Sequence, residues 1–249
     1  MNVLMPQDYD KYLYHFTTAE KALCYILPSL ELKLSSISHT NDPKENKLFG
    51  AWDIFEHVPD FQYIKLDKPF TEFINNKCKV ACFSHDYKIR GRNYSGYDHP
   101  AMWAHYANRY SGVCLVFYKR ILIKDIALLP DTKYNNVSYG PSFSYPRIDS
   151  NRFQKEGEMY LKKYLLANSK KLFFKKHSHW SHEHEARIFH IGDTTSFSIL
   201  KSLAGIYIGY DFDTNLIKTL KSLMPNNTCI EKITIDNGRL FPIDIEMFT

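Results

Sequence analysis

The pattern of the chain predicts an α+β fold. Helical stretches cluster early and in the middle, strands dominate the remainder, and no regular strand–helix–strand alternation of the parallel α/β kind runs through it. At 249 residues the chain can bury a sizeable core. Neither repeats nor low-complexity tracts divide it, so residues 1–249 are read as a single domain.

Tyr12-Leu-Tyr-His-Phe-Thr17 has the aromatic and β-branched character of a strand. Thr18 reads as the N-cap of a helix from about Ala19 to Leu27, stopped by Pro28. Glu31-Leu-Lys-Leu-Ser35 alternates as a half-buried strand, and Asn41-Asp-Pro43 is a turn signal. Lys79 to Ser84 reads as a buried strand. His85 to His99, with Gly91, Gly96 and several charges, reads as an exposed loop. Ala101 to Ala107 is a short helix on which Trp103 and Ala107 share a face. Gly112 to Tyr118 is the strongest strand, and Val137 to Tyr139 a shorter one. Arg152 to Lys175 follows a helical pattern. Strands over Ala186–Ile191, Gly205–Gly209 and Ile230–Ile235 complete the chain, with a helix near Thr214 to Leu223.

Composition narrows the function classes. The excess of 32 basic over 27 acidic residues gives a net charge of +5, short of a dedicated nucleic-acid binder's footprint. The paired lysines at 162–163, 170–171 and 175–176 read as solvated helix faces. The 18 Tyr and 17 Phe serve either an aromatic core or stacking surfaces for a base or nicotinamide ring. Five cysteines, four of them within apolar runs, indicate reduced thiols in a cytoplasmic protein. Met1 to Pro6 lacks the features of a signal peptide, and no apolar run reaches bilayer-spanning length. Neither a dinucleotide-binding GxGxxG after a strand nor a GxxxxGK[ST] phosphate loop occurs.

The segment from His177 to His190 concentrates the reactive side chains. Glu183, Glu185 and Arg187 fall at period two, so one strand would present all three on one face. Such a row is costly to bury without partners, so it marks a wet surface or a site that handles charge. His15 and Thr17 share a face of the first strand, and Ser84 closes the buried strand before the loop. Trp103, His105 and Tyr106 lie on the short helix.

The order of these pieces carries more information than any one of them. Tyr14-His-Phe-Thr17, Asn41-Asp-Pro-x-Glu45, Ala81-Cys-Phe-Ser84, Met102-Trp-x-x-Tyr-Ala107 and Trp180-x-x-Glu-x-Glu-x-Arg187 resemble a bacterial family of uncharacterised domains. The opening strand–helix–strand and the Glu-x-Glu strand are further similar to the ADP-ribosyltransferase superfamily. That resemblance implies a split, mostly antiparallel sheet with flanking helices, and NAD as the substrate whose nicotinamide–ribose bond is broken. Glu185 would stabilise the oxocarbenium-like centre, and Glu183 would orient the acceptor or take its proton. His15 and Thr17 would hold the adenine-side ribose, and Trp103 or Tyr106 would stack on the nicotinamide. Ser84 corresponds to the superfamily's Arg-Ser-Glu variants and His15 to its His-Tyr-Glu variants, so two patterns are mixed. Arg187 would meet a phosphate or neutralise Glu185. The acceptor is left open among protein, nucleic acid and water, as is a partner that neutralises the activity. The resemblance further implies a toxin or anti-phage effector in the bacterial cytoplasm, away from membranes.

Two alternatives use the same residues. His177/His179 and His182/His184 have a spacing found in metal ligand sets, which would suit a metal-dependent hydrolase. The His182 and His184 side chains, however, would point away from Glu183 and Glu185 on a strand. The lysine clusters and tyrosines would suit a non-catalytic nucleic-acid-binding domain.

Overall fold

A computed structural model describes residues 10–42, 55, 60–142, 145–225 and 228–245. Met1 to Pro6 and the Pro43 and Glu45 positions of the early motif lie outside them.

β1 (Tyr12–Thr17) leads into a helix whose N-cap is Thr18, as its hydroxyl and position predict. This helix runs in three pieces, Ala19–Lys21, the π-helical turn Ala22–Ile26, and Leu27–Ser29. Pro28 sits inside its last piece rather than stopping it, and that piece directly follows the π-helical turn. Leu30, in the left-handed conformation, ends the run. β2 (Glu31–Lys33) buries only Leu32, the expected alternation, and β3 (Ser35–Ser36) follows. A helix at Asp60–Lys77, not expected from the sequence, buries Leu66, Phe70, Phe73 and Ile74 on one face despite Pro69 within it.

β4 (Cys78–His85) is the buried strand expected. The stretch after it is not an exposed loop. It forms a hairpin of β5 (Tyr87–Ile89) and β6 (Arg92–Tyr94), then a buried run through Tyr97, Asp98 and His99. Within it only Lys88 to Asn93, which include Gly91, are exposed, whereas Gly96, Asp86 and Asp98 are buried.

The helix Pro100–Tyr106 and β7 (Val113–Tyr118) follow. β8 (Thr132–Asn136) and β9 (Ser138–Gly140) replace the single short strand expected near Val137. The helical pattern from Arg152 to Lys175 resolves into Ser150–Glu156, Glu158–Ala167 and Ser169–Phe173, broken at Gly157 (φ 56°) and at Asn168. β10 (Lys175–His177) and a 3-10 turn, Ser178–Glu183, lead to β11 (Glu185–Ile191). β12 (Ser196–Ser198), β13 (Leu203–Ile208), the helix Ile217–Leu223, β14 (Cys229–Asp236) and β15 (Arg239–Asp244) end the described chain.

The principal sheet runs β15-β14-β13-β7-β1-β4-β11-β8, with β3 also on β4. Of its pairs, β13–β14 is parallel and the others are antiparallel, so the fold is α+β with a mostly antiparallel mixed sheet and flanking helices. β1 pairs with β7 along its whole length but with β4 only at Leu13↔His85 and Tyr14↔Ser84. Beyond that point β1 and β4 part, and β3 takes the vacated edge of β4 opposite Lys79 and Val80. The sheet is split there.

One face of the sheet packs Leu13, Phe83, Leu115, Ile188 and Ile206 beneath helices from both chain halves. The other carries two aromatic-rich clusters. One gathers Tyr14, Phe16, Trp103 and Tyr207; the other gathers Val80, Phe173, Phe189 and Ile191. Ser84, Glu185 and Arg187 lie on this second face, in the register positions between the two clusters. Burial of the cysteines, expected from their apolar surroundings, holds only in part: Cys78 and Cys114 are buried, Cys82 and Cys229 half-buried, and Cys24 is exposed although it lies in the apolar run 22–27. No helix among the described residues is long and apolar enough to cross a membrane.

Asn108, Arg109 and Tyr110 all have positive φ, a left-handed turn packed directly over the end of β13. A Cβ on Gly209 would lie 1.8 Å from the Tyr110 carbonyl oxygen. Gly209→Ala is therefore expected to destabilise the fold by about 1–3 kcal/mol, because backbone must move to admit the methyl group. Chemical denaturation with an unchanged slope would measure this, and a variant as stable as the native chain would refute the close approach.

Candidate functional site

A cavity of about 200 Å³ opens where β1 and β4 separate. Five of the residues singled out from sequence border it: His15, Ser84, Tyr106, Glu183 and Glu185. Lys33, His39 and Asn41 contribute polar atoms from the β2–β3 side.

His15 lies across the gap in the sheet. Its Nδ1 is 2.9 Å from the carbonyl oxygen of Cys82. A carbonyl only accepts, so Nδ1 carries the proton and Nε2 presents a lone pair. Burial lowers the pKa of the ring, which keeps this neutral tautomer, although the Cys82 carbonyl pulls the other way. Thr17, two residues on, is buried at the end of β1 and does not border the cavity.

The acidic pair converges by a route the sequence pattern missed. Glu183 is not on the strand. It closes the 3-10 turn, and His184, left-handed at φ 44°, turns the chain before Glu185 begins β11. Ser84 fixes this turn by donating its hydroxyl to the Glu183 carbonyl at 3.0 Å, so the hydroxyl has a backbone partner. The Tyr139 hydroxyl accepts the Glu185 N–H at 2.9 Å.

Both carboxylates are sealed in. Glu183 and Glu185 are each 3% exposed, so the row is no wet surface. Arg187, fully buried, grips Glu185 through Nε to Oε1 at 2.7 Å and a second nitrogen to Oε2 at 3.0 Å. Its remaining terminal nitrogen donates to the Phe173 carbonyl. Of the two roles open to Arg187, the neutralising one is therefore observed, and the phosphate contact is not available to so enclosed a group. Lys176 bridges the pair, with Nζ 2.7 Å from Glu183 and 2.9 Å from Glu185. Tyr106 donates its hydroxyl to the other Glu183 oxygen at 2.5 Å. Trp180 covers Lys176 with its ring face, 5.4 Å from Nζ to centroid.

Burial alone would raise the pKa of Glu185. The guanidinium of Arg187 and the ammonium of Lys176 overcome it and bring the value down to about 2. Burial and the Glu183 charge push the Tyr106 phenol up, so it remains a donor. The site thus holds a permanently charged Glu185 beside a second carboxylate, in a cleft closed on its inner side.

Trp103 takes no part. It is fully buried, donates its indole N–H to the Tyr97 carbonyl, and meets Phe16 edge-on. Its place on the apolar face of the short helix decided this. Lys176 and Tyr139 are the residues that sequence reasoning overlooked. Lys176 was grouped with solvated lysines, yet two buried carboxylates and one arginine leave a charge unmatched. Neutrality alone called for a second cation nearby.

The histidines form a separate group on the outer side. The ring of His184 stacks on Tyr87 at 4.0 Å between centroids, with His85 and His99 about 6 Å away. His99 donates through Nε2 to the His182 carbonyl. No cluster of three or more potential metal ligands occurs among the described residues.

Burial first, and then His99, His85 and His182, lower the pKa of His184 to about 4. The unfolded chain binds this proton below pH about 6.5 while the folded chain refuses it, so stability falls as pH drops from about 6.5 towards 4. Glu185 adds a second loss from about pH 4.5 towards 2, the window between its ordinary and folded values. His184→Asn, which tolerates the left-handed backbone, is expected to make the fall in melting temperature between pH 6.5 and 4 shallower, the remainder coming from His15, His99 and His190, which burial also lowers. An unchanged slope in that window would refute the assignment to His184. Arg187→Met is expected to cost about 3–5 kcal/mol at neutral pH by leaving Glu185 underpaired. Native-like denaturation of that variant would show the pair to be dispensable.

Residues 102–188 match a family described as Protein of unknown function (DUF2971). No curated protein and no solved structure matches the chain. The matched segment contains Tyr106, Tyr139, Lys176, Glu183, Glu185 and Arg187 together, so over the residues that build the charged side of its cavity the chain is similar to that family of unknown function.

Proposed function

We propose that the chain is an NAD-consuming ADP-ribosyltransferase or NAD glycohydrolase working at the cavity between β1 and β4. The observation that carries this reading is the meeting of His15, Tyr106, Glu183 and Glu185 in one cleft of a split, mostly antiparallel sheet. Breaking the nicotinamide–ribose bond develops positive charge on the sugar, and a carboxylate held charged beside it stabilises that charge. Glu185 has this character because Arg187 and Lys176 keep it ionised. Glu183 accepts from one partner on each oxygen, Tyr106 and Lys176. A carboxylate oxygen can take a second bond, so Glu183 retains room for an acceptor hydroxyl or water. The Nε2 lone pair of His15 suits a ribose hydroxyl.

The cavity is smaller than the roughly 300–1,000 Å³ typical of sites that enclose a drug-sized ligand. It would enclose the nicotinamide riboside portion, with the rest of the dinucleotide lying outward past Lys33 and His39. The acceptor is a protein side chain, a nucleic-acid base or water, and a bacterial effector held in check by a partner is the setting this chemistry suits.

Release of nicotinamide from NAD by the purified chain tests the reading, alone and with protein or nucleic-acid acceptors. Glu185→Gln is expected to lower the rate by about a hundredfold or more. No release under any of these conditions, or equal release by a folded Glu185→Gln variant, would overturn it.

A further inference from the structure

We infer that Lys176 is a positioning residue whose single ammonium holds Glu183 and Glu185 together as a charged pair at the cavity. The catalytic consequence rests on the function proposed above, whereas the electrostatic role does not. Lys176 lies on β10, opposite Tyr139 in a parallel two-stranded ribbon, and its side chain is 6% exposed. It reaches one oxygen of each glutamate, at 2.7 and 2.9 Å. The same two oxygens therefore converge on one nitrogen, in surroundings where water cannot screen them.

Without Lys176, Arg187 still matches Glu185. Among the described residues Glu183 then keeps the Tyr106 hydroxyl alone, and two carboxylates face each other across the space Nζ occupied. Like charges so placed do not both persist; one takes a proton. Among the described residues, the other titratable groups that act on the two glutamates are Cys82 on β4, Tyr106, Tyr139 on β9 and His99 beside the helix of Tyr106, while His15, Lys33 and His39 line the same cavity without a bond to either carboxylate. The two phenols and the thiol are pushed upward by burial and His15 and His99 downward, so none of these five replaces the ammonium between the two oxygens. Trp180 caps Lys176 from outside and fixes the ammonium without matching its charge.

Lys176→Met separates this role from simple packing, because methionine keeps most of the side-chain volume. Its melting temperature is expected to fall by roughly 10 °C. Infrared spectra should gain a protonated-carboxyl band that is absent from the native chain. Lys176→Met/Glu183→Gln removes the stranded charge, so it should lose that band and melt above Lys176→Met. A folded Lys176→Met with no new band, or a double variant that melts no higher, would overturn the assignment. If Lys176→Met fails to fold, the double variant decides: recovery of folding supports the role and continued failure refutes it. With NAD as the probe, the acid limb of nicotinamide release should move up by about one pH unit or more in Lys176→Met and return in Lys176→Arg. The melting and infrared measurements need no turnover. A native chain that leaves NAD intact would therefore retire the functional reading while those two still judge Lys176.

Discussion

Four charges buried between two aromatic clusters set the terms for the rest of this structure. Glu183, Glu185, Lys176 and Arg187 have side chains no more than 6% exposed. Removing any one strands its partner in a medium that cannot hydrate it. The set is neutral as a whole, which is what makes its burial tolerable. It also spans the domain: Tyr106 ties it to the cluster around Trp103, and Arg187 ties it to the Phe173 backbone in the other cluster.

The local backbone follows from this arrangement. The chain between the two glutamates is not a strand. The 3-10 turn and the left-handed His184 swing Glu183 back towards β10. The Ser84 hydroxyl and the His85 backbone N–H hold that turn by donating to the Glu183 and His184 carbonyls, and His184 turns its ring outward onto Tyr87. The histidine group is thus the outer surface of the same turn whose inner surface is the acidic pair. Neither His182 nor His184 lies on a strand, and among the described residues they join no group of three or more potential metal ligands.

The split in the sheet makes the cavity, and it arises from pairing rather than from any one side chain. β1 is held in the sheet by β7 over its full length, so it keeps its place after leaving β4 beyond two residues. β3 covers part of the freed edge of β4, and the His15 ring bonds another part at Cys82. The space that remains is bordered by polar atoms from both sides.

The sequence by itself determined the class of fold and the strands that carry the site. Apolar runs at Cys78–His85, Val113–Tyr118 and Glu185–Ile191 are legible because burial on both faces demands them. The importance of Glu185 and Arg187 was also legible, since period two on a strand puts them on one face whatever surrounds it. What only the tertiary structure decided was which charges meet. Lys176 looks like its exposed neighbours, Trp103 looks like a stacking platform, and Glu183 continues the period of the strand. Lys176 is reassigned by Glu183, 7 residues away, Glu183 by Tyr106, 77 away, and Trp103 by the cluster that encloses it. Periodicity reports the direction of a side chain relative to its own backbone. Electrostatic pairing and burial depend on distances across the fold, and those exist only once the sheet has closed around them.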